Sequence, residues 1–293
     1  RMHVAMRTYL IEGVDWSLSG VMTYPRTGPV SDTNTTWHAD AAWVKPSVLT
    51  RALLEHPNIQ VVRDKVVDAL HFESNTKSWQ VMSSGVRLAH AEHVVLAAGP
   101  GCTKLCSGVM QQYANVATPP FDAIRGQVSW GLMAQTPIAP LPPNPINGRG
   151  SFVPHVPTPE GVAWFLGSTY DRFHPHDGVT NEDHDFNLNR LAELFPDAAD
   201  ALKPVFDQDV KGWVGVRCTL HDRLPLVGSV ADAPAGLWIN SAMGSRGLTL
   251  GLLCSEILVA EMTKQPLPVD LALVRAISSH RFADKALAKM QRK

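Results

Sequence analysis

Gly212-Trp-Val-Gly-Val-Arg-Cys-Thr-Leu-His-Asp-Arg-Leu-Pro-Leu-Val-Gly228 and Gly236-Leu-Trp-Ile-Asn-Ser-Ala-Met-Gly-Ser-Arg-Gly-Leu248 decide the fold of this 293-residue chain. The second stretch opens with a short apolar run, Gly236–Ser241, which is typical of a buried strand. Apolar residues then recur at helical spacing from Leu248 to Met262, and Pro266 ends the pattern. Together the two stretches predict two strands, a glycine turn and a helix.

The turn Gly244-Ser-Arg-Gly247 is predicted to bind an anionic group. Glycine leaves the backbone bare, so a flat ligand can approach closely. The first amides of the following helix and its dipole favour negative charge at Gly244 to Leu248. Glycine-rich turns also join strands to helices where nothing binds, and an arginine near Asp222 is often only a surface ion pair. The pattern by itself therefore leaves the ligand open.

The two stretches resemble the C-terminal part of the FAD-dependent D-amino-acid-oxidase/glycine-oxidase superfamily. Gly-Ser-Arg-Gly-Leu, with the closing His280-Arg-Phe282, is most similar to the oxidase domain of the bifunctional bacterial enzymes that make 5-methylaminomethyl-2-thiouridine in tRNA. The resemblance implies FAD as the cofactor and Arg217 as the group that binds the substrate carboxylate. It also implies a set of residues at the flavin pyrimidine ring: Gly244, Ser245, Arg246, Gly247 and Leu248.

Upstream residues match the adenine side of the same cofactor site. Strand-like runs are predicted at Ile59–Arg63, Val66–Phe72, Trp79–Met82 and His93–Ala98. In the resembled family a strand valine holds the adenine through its backbone, and an Ala-Ala-Gly strand end passes under the cofactor. Val67, Ala98 and Gly99 are therefore expected to bind FAD. The alternative is that these residues only form buried strands and bind nothing. This alternative is weaker for Gly99, because glycine at the end of a strand commonly marks close approach to a ligand.

The expected fold class is α/β (α+β), an incomplete FAD-binding Rossmann-like domain with an interleaved antiparallel-sheet substrate domain. The substrate domain is expected at residues 1–42 and 121–210, and the FAD-binding domain at residues 43–120 and 211–293. Further elements are predicted as a helix within Arg1–Glu12, a strand at Ser19–Tyr24, a helix at Ser47–Glu55 capped by Ser47, strands near Ser151–His155 and Val162–Thr169, and a helix at Asp183–Leu194 stopped by Pro196.

Composition narrows the function classes. A hydrophobic content of 45% and a charged content of 18% are typical of a soluble globular protein. The net charge of −1 gives no nucleic-acid signature, so an RNA substrate would need a local basic patch. The candidate is the tail Arg281–Lys293, although such tails are usually just solvated ends. The scattered cysteines predict reduced thiols in a reducing cytoplasm. The histidines share no metal-ligand spacing, which predicts no metal site. No apolar run is long enough to span a membrane.

One feature of the family pattern is missing. The superfamily opens with Gly-x-Gly-x-x-Gly, which holds the FAD pyrophosphate, and that motif does not occur in this sequence. The first residue is arginine, which suggests that the chain begins inside a longer protein. We therefore expect the activity to belong to that longer protein.

Three hypotheses for function stay open. The first is an FAD-dependent amine oxidase that removes the carboxymethyl group from carboxymethylaminomethyl(-2-thio)uridine at the tRNA wobble position, with a fused or associated methyltransferase completing the modification. The second is a glycine or D-amino-acid oxidase that acts on a free amino acid. The third is a truncated, non-catalytic fragment that does not hold FAD. The first hypothesis requires no side-chain acid or base if the amine arrives neutral, so no general base is assigned.

Overall fold

The computed structural model describes residues 1–25, 34–113, 118–136, 141–172 and 178–284. These residues form two compact units, each assembled from separated parts of the chain. The first unit consists of residue 1 with residues 60–124 and 217–293, and the second consists of residues 2–59 and 125–216.

The described residues form both helices and strands. The helices are α1 (Met2–Tyr9), α2 (Pro46–Leu54), α3 (Cys102–Gln112), α4 (Asn181–Leu194), α5 (Pro196–Gln208), α6 (Gly247–Thr263) and α7 (Leu271–Ile277). The strands are β1 (Trp16–Ser17), β2 (Val21–Thr23), β3 (Thr36–His38), β4 (Trp43–Val44), β5 (Ala69–Glu73), β6 (Ser78–Ser83), β7 (Val86–Ala91), β8 (Val94–Leu96), β9 (Phe121–Leu132), β10 (Ile146–Asn147), β11 (Ser151–Thr158), β12 (Gly161–Gly167), β13 (Lys211–Leu220), β14 (Leu226–Ser229) and β15 (Leu237–Ser241).

Two three-stranded sheets build the first unit. In one, β15 lies between β14, to which it is antiparallel, and β8, to which it is parallel. The other is the antiparallel meander β5–β6–β7. The core is formed by apolar residues of both sheets together with α3. Trp79 lies fully buried in it and donates its indole N–H to the carbonyl of Ala235 at 3.0 Å, 156 residues further along the chain.

A long sheet with strand order β13-β9-β12-β11-β10-β2-β3 dominates the second unit, and both β9 and β13 contain a boundary between the units. Side chains of β11 and β12 such as Phe152, Trp164 and Leu166 pack on apolar residues of α4 and α5, including Leu191 and Leu202. Strand alternation explains this core, because every second residue of β12 points to the same face.

Most predicted elements are confirmed with small shifts at their ends. The helix predicted from Leu248 is α6, which begins one residue earlier. The strand predicted at Ile59–Arg63 is wrong, because these residues form no strand and Ile59, Val61 and Val62 are exposed. A strand needs a hydrogen-bonded neighbour, and in the described part of the chain no strand pairs with this stretch.

Of two predictions about helix ends, one is wrong and one is confirmed. Ser47 does not cap α2, which starts at Pro46 with Lys45 in the N-cap position and no side-chain cap hydrogen bond. The predicted helix stopped by Pro196 is confirmed, because α4 ends at Leu194, and Pro196 is in addition the first residue of α5. Phe195 serves as the C-cap of α4 and the N-cap of α5 at once. Proline suits the first turn of a helix because its missing N–H would have no acceptor there.

No helix within the described ranges is both long enough and apolar enough to cross a membrane.

Candidate functional site

Two glycine turns meet at one edge of the β14–β15–β8 sheet. Since β8 and β15 are parallel, their carboxyl ends lie at the same edge. Ala98 and Gly99 follow β8, and Gly244 follows β15. Gly99 has φ +55° and Gly244 has φ +58°, a left-handed conformation that glycine adopts without steric cost.

Both turns pack on the end of β13. A Cβ atom added to Gly99 would lie 3.9 Å from Cys218 Cβ, and one added to Gly244 would lie 3.1 Å from Thr219 Cγ2. Ser241 sits between the elements, accepting a hydrogen bond from Cys102 Sγ at 3.5 Å and donating one to Cys218 Sγ at 3.8 Å. The structure thus brings the Ala98-Gly99 turn and the Gly244 turn together.

The cysteines around this edge are packing groups. Cys102, Cys106 and Cys218 are all buried. Burial raises the pKa of Cys106 to about 12, with a smaller contribution from Cys102. Burial also raises the pKa of Cys218, more than the hydrogen bond from Ser241 lowers it. A raised pKa makes a buried thiol a poor nucleophile, so Cys106 and Cys218 act here as packing groups.

The helix that leaves the second turn presents an open N-terminus. Ser245, Arg246, Gly247 and Leu248 are all exposed, and no side chain caps α6. A Cβ atom added to Gly247 would meet nothing closer than Met243 Cβ at 3.9 Å. The first amides of a helix have no acceptor within the helix and carry its positive dipole end. This surface therefore fits the anionic edge of a flat ring such as reduced flavin.

Arg246 is held in place from the neighbouring turn. Its Nη2 donates to the backbone carbonyl of Arg223, which has a left-handed backbone with φ +59°. Arg281 stabilises that turn, donating from Nε and Nη2 to the Asp222 carboxylate at 2.9 and 3.1 Å and from Nη2 to the Leu224 carbonyl at 3.2 Å. A buried arginine thus supports the segment that positions Arg246.

The contact between Arg281 and Asp222 shows that the prediction of an exposed basic patch is wrong for Arg281. Arg281 is only 6% exposed and paired with Asp222, so it belongs to no exposed basic patch. The other basic residues of the predicted patch lie outside the described residues: Lys285, Lys289, Arg292 and Lys293.

Arg217 lies in β13 beside the buried Cys218 and is itself partly exposed. Residues two apart in a strand share a face and lie about 7 Å apart. Arg217 therefore occupies the face of β13 on which Thr219 approaches Gly244. An arginine there can bind a carboxylate through two parallel hydrogen bonds.

Val67 occupies a different part of the first unit. The predicted strand Val66–Phe72 begins only at Ala69, so Val67 precedes β5. Its side chain packs on the core that contains Leu70 and Trp79. The next residue, Asp68, donates its amide to the Met82 carbonyl at 3.0 Å. With the side chain turned to the core, a ligand at Val67 would meet its backbone.

Sequence reasoning missed a buried polar network in the second unit. Arg125, only 1% exposed, donates to Asp183 and to the Gly178 carbonyl. Gln127 donates to the Thr180 carbonyl at 2.8 Å. The alternation of polar residues along Arg125-Gly-Gln-Val-Ser129 was the available signal, because these residues share one strand face.

His184 belongs to the same network. Its Nδ1 lies 2.8 Å from Ser129 Oγ, which also accepts from Asn187 at 3.0 Å. Burial lowers the pKa of His184, although the carboxylates of Asp183 and Asp185 act in the opposite direction. These groups satisfy one another inside the unit, so the network serves the fold. Among the described residues, the His184 network included, no group of three or more histidine, cysteine or acidic side chains could hold a metal ion.

Comparison with known proteins gives a consistent family. The model of the DAO family, FAD dependent oxidoreductase, matches residues 20–261. The chain is 41% identical over 258 residues to the tRNA 5-methylaminomethyl-2-thiouridine biosynthesis bifunctional protein MnmC of Paracidovorax citrulli, covering 84% of this chain and 39% of the relative. It is 40% identical over 248 residues to the MnmC protein of Polaromonas naphthalenivorans, covering 84% and 38%.

A solved structure with the same fold is glycine oxidase from Geobacillus kaustophilus, with a TM-score of 0.68 and 16% identity over 88% of this chain and 74% of that one. The chain spans less than half the length of the curated relatives it matches. Its mixed helices and strands follow the Rossmann-like fold of DAO-type oxidoreductases, which confirms the expected fold class. The chain belongs to the DAO family of FAD dependent oxidoreductases.

Proposed function

We propose that this chain forms the oxidase part of an FAD-dependent amine oxidase. Its substrate is carboxymethylaminomethyl(-2-thio)uridine at the wobble position of tRNA, from which it removes the carboxymethyl group in the cytoplasm. The observation that carries the proposal is the open N-terminus of α6 beside the Gly99 and Gly244 turns, in a chain about 40% identical to tRNA-modifying proteins.

The first unit would hold FAD, and the second would form most of the substrate domain. Gly244, Ser245, Arg246, Gly247 and Leu248 would lie at the pyrimidine ring, where the exposed amides of α6 favour negative charge. Ala98 and Gly99 would pass under the cofactor, and the Val67 backbone would meet the adenine. The sequence contains no Gly-x-Gly-x-x-Gly, so these residues account for the ring and adenine contacts and not for the pyrophosphate.

When bound, FAD would accept the two electrons removed from the carbon–nitrogen bond, and hydrolysis of the resulting imine would release glyoxylate and leave aminomethyl uridine. Arg217 would bind the carboxylate of the substrate through two hydrogen bonds and one charge. This fixes the carbon that is oxidised, since hydride transfer depends on its position. An amine that binds in its neutral form needs no side-chain base, and we assign none.

The choice of tRNA over a free amino acid rests on the relatives. Those at about 40% identity are named for tRNA modification, whereas the likeness to glycine oxidase at 16% identity shows the fold alone. Because the relatives are bifunctional and more than twice as long as the matched region, we also propose a fused or associated methyltransferase as the partner.

Glyoxylate release tests the proposal. The purified protein, supplied with FAD, is given tRNA carrying carboxymethylaminomethyl uridine, and in parallel free glycine and sarcosine. We expect glyoxylate from the tRNA and little from the amino acids. Turnover of the amino acids alone would replace the tRNA substrate with a free amino acid. A protein that shows no structured flavin absorbance on FAD titration would instead be a non-catalytic chain.

A further inference from the structure

A large aromatic side chain is exposed on the edge strand of the second unit. Trp213 lies in β13 and is 63% exposed. Gly215, two residues on, faces the same side of the strand. A Cβ atom added to Gly215 would lie 2.6 Å from Trp213 Cη2 and 3.0 Å from Cζ3. The indole therefore lies against the backbone of Gly215, which leaves its outer surface open to solvent.

A lysine on the same strand face lies over one of two further stacked rings. Lys211 shares the strand face of Trp213, and its Nζ is 4.6 Å from the ring centroid of Trp130 in the adjacent strand β9. Trp130 stacks on Phe165 of β12, with ring centroids 5.9 Å apart and planes 21° apart. We call Trp130, Phe165, Lys211 and Trp213 the aromatic patch.

The ammonium group of Lys211 can exchange one ion-pair partner for another. Lys211 Nζ lies 2.8 Å from Glu160 Oε2, and the two side chains are 38% and 56% exposed. An ion pair this exposed contributes little stability, so the ammonium can turn to another anion. Its position over Trp130 keeps it at the patch in either case.

An open aromatic surface beside a cation is the chemistry that binds unpaired nucleotides. Bases stack on aromatic rings whatever their sequence, and a neighbouring ammonium contacts the backbone phosphate. With a net charge of −1, the chain has no general attraction for nucleic acid, so contacts with RNA must be local. We propose that the aromatic patch binds single-stranded RNA, with Trp213 stacking an unpaired base and Lys211 contacting the adjoining phosphate. The inference rests on the proposed tRNA substrate and names a surface that contacts it.

RNA binding by the purified protein tests the inference directly. The probe is a fluorescein-labelled RNA stem-loop with a seven-nucleotide unpaired loop, followed by fluorescence anisotropy. Loss of one stacking contact should raise the Kd of Trp213→Ala about tenfold, and Trp213→Phe should recover most of the affinity. Lys211→Gln should reduce the slope of log Kd against log salt by about one.

The matched control is Trp37→Ala. Trp37 is 47% exposed in β3, at the opposite edge of the same sheet, and its ring also covers a glycine, Gly20. We expect its Kd to equal that of the wild type. Circular dichroism melting of each variant confirms that the fold is kept.

Failure of the inference is distinguishable from failure of the proposed function. Equal affinities of Trp213→Ala, Trp37→Ala and wild type, or no RNA binding by the wild type, would overturn the inference even if modified tRNA is oxidised. RNA binding that depends on Trp213, in a protein that oxidises only free amino acids, would support the patch and overturn the proposed substrate.

Discussion

Arg281 binds Asp222 through two hydrogen bonds of 2.9 and 3.1 Å, across 59 residues of sequence. The same guanidinium donates from Nη1 to the carbonyls of Ile277 and Ser278, both at 3.0 Å. One buried side chain thus joins the end of α7 to the turn between β13 and β14. Its loss should therefore affect stability and the neighbouring Arg246 together.

Arg281→Met should lower the free energy of unfolding by about 3 kcal/mol, because it leaves the Asp222 carboxylate partly buried without its cation. Urea denaturation followed by circular dichroism measures the change. Arg190→Met is the control, since the Arg190–Glu193 pair is exposed and should contribute roughly 0–1 kcal/mol. Equal losses in the two variants would show that Arg281 acts as a surface residue.

The Arg281–Asp222 ion pair should also make the stability of the fold depend on pH in the acidic range. Burial raises the pKa of Asp222. The hydrogen bonds from Arg281 and from the Leu224 amide, together with the charges of Arg281 and His221, lower it by more than burial raises it, so the net shift is downward. A carboxyl group whose pKa is lower in the folded state stabilises the fold at any pH above its ordinary pKa of 3.8. This stabilisation is lost as the pH falls through the pKa that Asp222 has in the folded state. Asp222→Asn should be less stable than the wild type at neutral pH and show a smaller loss on acidification to pH about 3.

Gly247→Val should abolish FAD binding while leaving the fold intact. The position is helical and a Cβ atom there would meet nothing within 3.9 Å, so the side chain would project into the space assigned to the flavin. Absorbance titration with FAD measures binding, and thermal melting measures the fold. Normal flavin content in a folded Gly247→Val variant would contradict the placement.

Substitution of Gly244 tests the backbone strain of the turn separately from any obstruction of the flavin site. Gly244→Ala should lose about 1–2 kcal/mol of stability, because φ is +58° and the new Cβ would lie 3.1 Å from Thr219 Cγ2. Gly251→Ala, in the interior of α6 with open space around it, should instead gain about 0.5–1 kcal/mol. A neutral effect of Gly244→Ala would show that the turn can relax.

Arg217→Ala in the FAD-loaded protein should raise the KM for the carboxylate substrate while flavin stays bound. Loss of a charge-assisted contact to the carboxylate should cost roughly 2–4 kcal/mol in kcat/KM. Steady-state kinetics measure the change, and the flavin absorbance spectrum is the control. Unchanged kinetics would reassign Arg217 to structure.

His184 should make the second unit sensitive to mild acid. Burial lowers the pKa of His184, so the folded state favours the neutral ring. The unfolded chain then binds more protons just below the ordinary value of 6.5, and stability falls as the pH drops through that value. His184→Gln should lose less stability than the wild type between pH about 7.5 and about 5.5. Parallel losses in His184→Gln and wild type would assign the sensitivity elsewhere.

Local signals predicted the elements whose partners are near in sequence. The glycine turn and α6 followed from Gly244, Gly247 and the apolar spacing from Leu248, and α4 followed from its own pattern. Contacts between distant residues could not be predicted in this way. Asp222 was expected near an arginine, but its partner is Arg281. The apolar run Ile59–Arg63 has the composition of a strand and forms none.

The same limit applies to the candidate site. Sequence motifs indicated Gly99 and Gly244 separately, whereas their positions at one sheet edge depend on the parallel pairing of β8 with β15. The buried network around Arg125 was missed because its partners lie more than 50 residues away on α4 and the segment before it. Polar residues on one strand face indicate an unusual interior but do not identify what satisfies them.

The hydrogen bond from the Trp79 indole to Ala235 also has a consequence for how the chain folds during synthesis. The residues of the second unit have all been made once position 216 is added, whereas the first unit still lacks everything from residue 217 onward. The core around Trp79 must therefore wait for β14 and β15 while the ribosome adds residues at about 5–20 per second. Until then the core residues made earlier, such as Leu70, Trp79 and Leu105, lack the contacts that Leu226, Leu237 and Ile239 supply in the finished unit, and transiently uncovered apolar surface of this kind promotes aggregation.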